Sequence, residues 1–414
     1  RIFFIYLQSG TIQKLRKMNQ VSDRLASLSP SETLAMSQKS NELKAQGIDI
    51  INLSVGEPDF FTPEHIKAAA KKAIDDNFSF YSPVPGYMDL RKAICSKLKN
   101  ENNLDFTPEQ IVVSNGAKQS ICNAILCIVN PGDEVIIPAP CWVSYVEMVK
   151  LAEGKSVVIP SGIENDFKIT PAQLEAAITP KTKAIILCSP SNPTGSVYSH
   201  DELKALADVL AKYPQVIILA DEIYEHINYI GGHQSIAQFE NVRERVAIIN
   251  GVSKAYAMTG WRIGFVAAPL WLAQACNKLQ SQYTSGPSSI AQKASVAAFS
   301  GDQSCVEEMR RAFERRRDLV VELARQIPGF KVNVPQGAFY LFPDVSYYYG
   351  KKFGDKVIEN SADLAMYLLE EGHVATVGGA AFCAPECLRF SYATSDENLK
   401  EALHRIKEAL AKLK

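Results

Sequence analysis

The chain has 414 residues, 47% hydrophobic and 21% charged, which is ordinary for a globular protein and long enough for two domains. Its 44 basic and 45 acidic side chains leave a net charge of −1, so no basic surface invites nucleic acid or anionic membrane. No apolar run approaches the length of a membrane span.

The opening segment, "RIFFIYLQSGTIQKLRK", lacks an initiator Met, and its apolar part is too short to span a bilayer. Met18 begins "MNQVSDRLASL", which reads as a natural start, so residues 1–17 are expected to be an extension without function.

From residue 61 to 299, short β-branched runs alternate with helical patterns. The runs are "IVVS" (111–114), "EVIIP" (134–138), "SVVIP" (156–160), "AIILC" (184–188), "VIILA" (216–220), "AIIN" (247–250) and "IGFVA" (263–267). Continuous apolar strands separated by helices predict an α/β unit whose seven-stranded, mostly parallel sheet is covered on both faces. Thr170 and Ser199 open capping boxes, "TPAQ" and "SHDE", and predict helix starts there.

After residue 300 the pattern changes. A long charged helix, "VEEMRRAFERRRDLVVELARQ", precedes "FKVNVPQGAFYLF", which reads as strand, turn and strand. A helix over 361–371, the runs "HVATVGGAAF" and "CLRFSYA", and an amphipathic helix from about 396 complete the chain. Residues 18–60 and 300–414 are expected to form a smaller α+β domain beside the large one. The run "RRAFERRR" reads as a solvated helix face with i,i+4 Glu–Arg pairs rather than an anion site.

The nine cysteines (Cys95, Cys122, Cys127, Cys141, Cys188, Cys276, Cys305, Cys383 and Cys387) follow no regular spacing, and most lie in apolar runs. They read as reduced thiols, which implies a reducing compartment. Six scattered histidines, with no paired Cys or His ligands, argue against a metal site.

In open α/β sheets, ligands bind at the carboxyl ends of the strands. Four loops at those ends carry the informative polar residues: "NGAKQS" after 114, "SPSNPTG" after 188, "DEIYEH" after 220 and "GVSK" after 250. Together they match the needs of pyridoxal phosphate: a lysine amine for a Schiff base, a carboxylate on the pyridine nitrogen, donors to the phenolic oxygen and an anion site. Lys254 supplies the amine. Asp221 ends a buried strand, where an unpaired carboxylate is costly and a pyridinium partner removes the cost; the competing reading is a helix cap. Tyr224 and Asn192 donate to the phenolic oxygen. Gly116 and Ala117 offer backbone N–H groups at a helix start, and Ser253 and Arg262 complete the phosphate site. Trp142 either stacks on the ring or is an ordinary core aromatic.

With these residues in view, the chain resembles the class I aminotransferases of the type I pyridoxal-phosphate fold, and within them the bacterial aspartate aminotransferases of the Thermus-like subgroup. The resemblance runs from Val21 to the C-terminus. It is carried by "GEPDF", "NGAKQ", "PCWVSY", "SPSNPTG", "DEIYEH", "SKAYAMTGWRIG" and "RFSYATS". It implies that Lys254 carries the cofactor and then moves a proton as general base, with Asp221, Tyr224, Asn192 and Trp142 around the ring. It implies that Arg389 clamps the substrate α-carboxylate, with Gly56 as its backbone contact. Tyr81 is similar to the tyrosine that reaches the phosphate of a neighbouring subunit's cofactor, which implies a homodimer with shared active sites, and the reduced thiols point to the cytoplasm. Lys118 occupies the place of a lysine that pairs with the distal carboxylate of aspartate, or else it serves the phosphate. Ser31 and Ser285 lie in segments that line the substrate pocket in relatives. Gly251 departs from more distant relatives, which carry serine there as a phosphate donor.

The implied reaction is a ping-pong transfer from L-aspartate to 2-oxoglutarate, giving oxaloacetate and L-glutamate. Other readings are an aminotransferase for another amino acid or for prephenate, a lyase acting on a cysteine conjugate, and a non-catalytic sensor that binds pyridoxal phosphate. The sequence before Val21 is too short for a sensor's DNA-binding module. No G-x-G-x-x-G follows the first strand, which disfavours a dehydrogenase.

Overall fold

The computed structural model describes residues 21–414. The expectation for residues 1–17 lies outside the described residues.

The seven predicted runs form one sheet, numbered here β1 (Ile111–Asn115), β2 (Glu134–Ala139), β3 (Lys155–Pro160), β4 (Thr182–Cys188), β5 (Ile217–Asp221), β6 (Val246–Gly251) and β7 (Ile263–Ala267). Their order across the sheet is β1-β7-β6-β5-β4-β2-β3. Only β7 runs antiparallel to its neighbours, between β1 and β6. Alternate residues feed two cores. Val113, Ile136, Ile185, Ile218, Ile248 and Phe265 face one, and Val112, Ile137, Ile186, Leu219, Ile249 and Val266 face the other. Burial of both faces is why the strands read as unbroken apolar runs.

Register fixes the functional edge. Asp221 lies opposite Cys188 on β4, Asn115 opposite Ile263, and Gly251 opposite Gly264. The ends of β1, β4, β5 and β6 therefore meet the start of β7 along one rim. The capping boxes at Thr170 and Ser199 both form, each side-chain oxygen accepting from the backbone N–H three residues on.

A further core joins Ile51 and Leu53 to Phe313, Val320, Phe339, Leu364, Phe390 and Leu403. Ile51–Asn52 pairs in parallel with Val374–Ala375. A three-stranded sheet of Tyr340–Leu341, Leu388–Ser391 and Val377–Gly378 brings Arg389 under the rim of the large sheet.

Two expectations change here. The segment read as strand, turn and strand has the short strand Tyr340–Leu341 and isolated bridges from Lys331 to Asp344 and from Gly337 to Asn228. Pro335 removes a ladder donor and Ala338 adopts a left-handed φ of 55°, so a regular hairpin does not form. The "RRAFERRR" run is a solvated face only in part. Arg310 and Arg311 do pair with Glu314 and Glu307 four residues away. Arg316, however, is buried, holds both oxygens of Asp59 at 2.7 and 2.9 Å, and reaches Asp396 at 3.4 Å.

The nine cysteines are free thiols; Cys141, Cys276 and Cys387 are buried and the other six half-buried. Among the described residues, no helix is long and apolar enough to cross a membrane.

Candidate active site

The rim of the sheet opens into a cleft of about 360 Å³ lined by Gly56, Ala117, Lys118, Trp142, Asn192, Asp221, Tyr224, Ser253, Lys254, Arg262 and Arg389. Of the residues singled out in the sequence, the lining omits Gly116, Gly251, Tyr81 and Ser285. Gly116 sits directly beneath it, as the N-cap of the helix Ala117–Ile128. Tyr81 stands apart, 98% exposed, in a separate hollow with Phe80 and Gly286. Ser31 lines the cleft, whereas Ser285 adopts a left-handed φ of 58° outside it.

At the floor, Asp221 is buried. Tyr145 Oη donates to its Oδ2 at 2.6 Å and the Ile223 N–H donates to Oδ1 at 3.3 Å. Burial outweighs these two donors and pushes its carboxyl up to about 6. A buried carboxylate in this state has room for one more positive partner, and a protonated ring nitrogen suits it. Lys254 Nζ donates to the Gly56 carbonyl at 2.5 Å and lies 5.6 Å from the Tyr224 ring centroid. Enclosure brings its amine down to about 8, close to the range in which a lysine acts as nucleophile and base.

The anion end is built by backbone. Gly116 adopts φ 82°, and a Cβ there would lie 2.4 Å from Arg262 Nη2, so only glycine lets the guanidinium close over the helix start. Arg262 donates to the carbonyls of Thr259 at 2.9 Å and Asn115 at 3.2 Å. The expectation of a lost donor at Gly251 also finds its reason. A Cβ on Gly251 would lie 2.7 Å from Gly264 Cα, and one on Gly264 would lie 2.1 Å from the Ala117 nitrogen. Strand and helix start are packed so closely here that a serine at 251 has no room.

On the opposite wall Arg389, 2% exposed, donates to Asn192 Oδ1 at 2.9 Å and to the Ser54 carbonyl at 2.7 Å. Its Nε has no partner. The rings of Tyr340 and Phe382 flank it at 4.6 and 4.8 Å. Among the described residues no carboxylate pairs with it, and Tyr340 and Tyr224 are the groups that favour its charge. A buried guanidinium with a free N–H and no carboxylate partner among the described residues suits the binding of a carboxylate. Because Asn192 accepts through Oδ1, its amide nitrogen is left to donate into the cleft. Lys118 Nζ lies 5.2 Å over the Trp142 ring, and burial, aided by Arg262, lowers its amine.

Two residues without an assigned role in the sequence reading belong to this site. Tyr145 is the donor to Asp221, and Tyr340 shares a 2.7 Å hydrogen bond with the Tyr224 hydroxyl. Tyr145 lies one helical turn beyond Trp142, within "PCWVSY". That spacing, and the need of a buried carboxylate for a donor, was its only signal. Tyr340 had none.

A strand-end lysine, a buried carboxylate and a glycine-lined helix start in one cleft of an α/β sheet define an enzyme site. The model of the family "Aminotransferase class I and II" matches residues 48–406. The chain belongs to this family.

Particular relatives sharpen the match. The chain is 50% identical, over 95% of its length and 99% of the relative's, to an aspartate/prephenate aminotransferase of Cereibacter sphaeroides. Its fold superposes with a TM-score of 0.92 on the aspartate aminotransferase of Rhizobium meliloti, at 45% identity, covering 96% of this chain and 100% of that one. The aspartate aminotransferase of Thermus thermophilus, solved with maleate, gives a TM-score of 0.89 at 41% identity, covering 95% and 100%.

Proposed function

We propose that this enzyme transfers the amino group of L-aspartate to 2-oxoglutarate, giving oxaloacetate and L-glutamate in a ping-pong sequence. The observation that carries the reading is Arg389, buried with no carboxylate partner among the described residues in the same cleft as Lys254 and Asp221. The aspartate aminotransferase activity of its relatives supports it. The maleate of the Thermus thermophilus structure is a four-carbon dicarboxylate, as aspartate is.

Pyridoxal phosphate, when bound, supplies an aldehyde for the amine and a protonated ring that draws electrons from the substrate α-carbon. The donor set fits it. Asp221 would keep the ring nitrogen protonated, held in its ionised form by Tyr145. Asn192 and Tyr224 would donate to the phenolic oxygen, and Trp142 would cover the ring. Gly116, Ala117, Ser253 and Arg262 would hold the phosphate, where helix N–H groups and a guanidinium concentrate positive potential.

Arg389 would take the α-carboxylate in bidentate fashion, with Gly56 beside it, and thereby aim the Cα–H bond. Lys254, its amine brought down by burial, would lift that proton and return it after the bond order has shifted. Lys118 would pair with the distal carboxylate. Among the described residues no carboxylate pairs with it, which supports that role.

The exposed aromatic side chains of Phe61, Phe80, Tyr81 and Tyr283 support a homodimer in which Tyr81 reaches a second copy's phosphate site. The name of the Cereibacter sphaeroides relative favours prephenate as a further amino acceptor.

A panel of amino donors against 2-oxoglutarate, repeated with prephenate as acceptor, tests the reading. Aspartate and glutamate should lead, and Lys254→Ala should lose nearly all turnover. Turnover retained by that variant refutes the assignment.

A further inference from the structure

We propose that Cys383 and Cys141 form a redox-active thiol pair, with Cys383 attacking and Cys141 resolving, which a low-molecular-weight disulfide such as oxidised glutathione converts into an intrachain disulfide. The two residues come from distant parts of the chain, and the backbone holds them side by side. The Cys141 N–H donates to the Phe382 carbonyl at 3.0 Å, and both side chains pack against the same core. Their positions differ as the two roles require. Cys141 is 3% exposed in the loop after β2. Cys383 is half-buried, ends the turn Gly379–Phe382, and opens onto hollows on either side, one with Ala380 and Val146, the other with Ser161 and Ala384.

The proximity of the two thiols shifts both. The neighbouring Cys141 thiol brings that of Cys383 down to about 7 against the effect of its burial, with a smaller contribution from Lys150, while the Cys141 thiol is raised. The accessible member is thus the one with thiolate at neutral pH, and the thiolate is the nucleophile. In the first step the Cys383 thiolate attacks one sulfur of oxidised glutathione, forming a mixed disulfide and expelling one glutathione thiolate. In the second, Cys141 loses its proton and attacks Cys383 Sγ, expelling the other. Two electrons pass from the pair to the oxidant, and the two glutathione thiolates take up the protons released.

The bond joins two walls of the cleft. Cys141 precedes Trp142, and Cys383 follows Phe382, whose ring covers the Arg389 guanidinium. Oxidation would make the Trp142 loop and the Arg389 hairpin move as one.

The test treats the whole protein with oxidised glutathione, alkylates the remaining thiols and maps the peptides without reduction. The expected result is a peptide bridged between Cys141 and Cys383, with the loss of two alkylatable thiols. Cys141→Ala should instead stop at glutathione on Cys383, and Cys383→Ser should leave Cys141 unmodified. Because Cys141 is buried, Cys141→Ser serves as a second variant that keeps the volume. Cys127 and Cys276 are a second pair of thiols that shift each other and provide an internal rival. The proposal is overturned if Cys383 stays free, if its mixed disulfide persists in the unaltered chain, or if the bridge forms only between Cys127 and Cys276.

Discussion

At the scale of single residues, the chemistry depends on how each charge is neighboured. Tyr145 opposes the effect of burial on Asp221, so Tyr145→Phe should raise the carboxyl further above about 6. A hydrogen bond to a buried charged group contributes about 1–3 kcal/mol, so affinity for pyridoxal phosphate should fall roughly tenfold or more. The acid limb of the kcat/KM profile should move to higher pH, because more alkaline solution is then needed to ionise Asp221. A limb that stays in place assigns Tyr145 to packing alone. Arg389→Ala should raise KM for every amino acid alike, since all carry an α-carboxylate. Lys118→Ala should impair aspartate and glutamate far more than alanine or phenylalanine. Equal loss across all four substrates would reassign Lys118 to the phosphate.

Among the elements, the junction of β6, β7 and the helix Ala117–Ile128 leaves no spare volume. Gly264→Ala would drive a methyl group against the Ala117 nitrogen. The helix start must then retreat from the strand, and overpacking of this kind costs typically about 1–3 kcal/mol. Thermal unfolding should show that loss, and phosphate-ester affinity should fall with it, because the retreating N–H groups are the proposed anion site. Unchanged affinity in a folded variant would separate the helix start from phosphate binding. Most of this framework was legible in the sequence. Each strand is a local apolar run, both capping boxes are local, and Lys254, Asp221 and Asn192 stand just past such runs. Tyr340 and Arg316 were not legible, since their partners, Tyr224 and Asp59, lie far off in the chain.

Across the whole molecule, two buried charge clusters tie distant segments together. Arg316 joins the segment of Asp59, its own long helix and the final helix at Asp396. Arg316→Ala leaves Asp59 without its bidentate partner while Asp396 keeps Arg315, a loss of about 1–3 kcal/mol that should lower Tm by a few degrees. Behind the active site, Glu225 contacts Lys97 and accepts from Asn102 at 2.9 Å, while His233 lies 3.1 Å from Glu222. Burial alone would raise the Glu225 carboxyl, but Lys97, His226 and His233 together hold it well below its ordinary 4.5. Burial alone would lower the His233 imidazole, but Glu222 and Glu225 carry it above its ordinary 6.5. A lowered carboxyl stabilises the fold above 4.5 and loses that contribution as pH falls through its folded value. A raised imidazole stabilises fully below 6.5 and loses it as pH climbs through its folded value. The cluster should therefore favour stability most between about 4.5 and 6.5. His233→Asn should flatten the alkaline side of a Tm–pH curve; an unchanged slope there would rule the histidine out.

The sequence by itself determined the sheet, its functional rim and the residue types offered there, because apolar periodicity and strand-end polarity are properties of neighbours in the chain. Tertiary structure alone decided that Arg389 meets Asn192, that Tyr145 holds Asp221, that Gly251 has no room for a side chain, and that Cys141 is held against the turn that ends at Cys383. Those facts depend on which surfaces come to share a buried volume, and there desolvation and close packing act between residues that the chain order does not bring together.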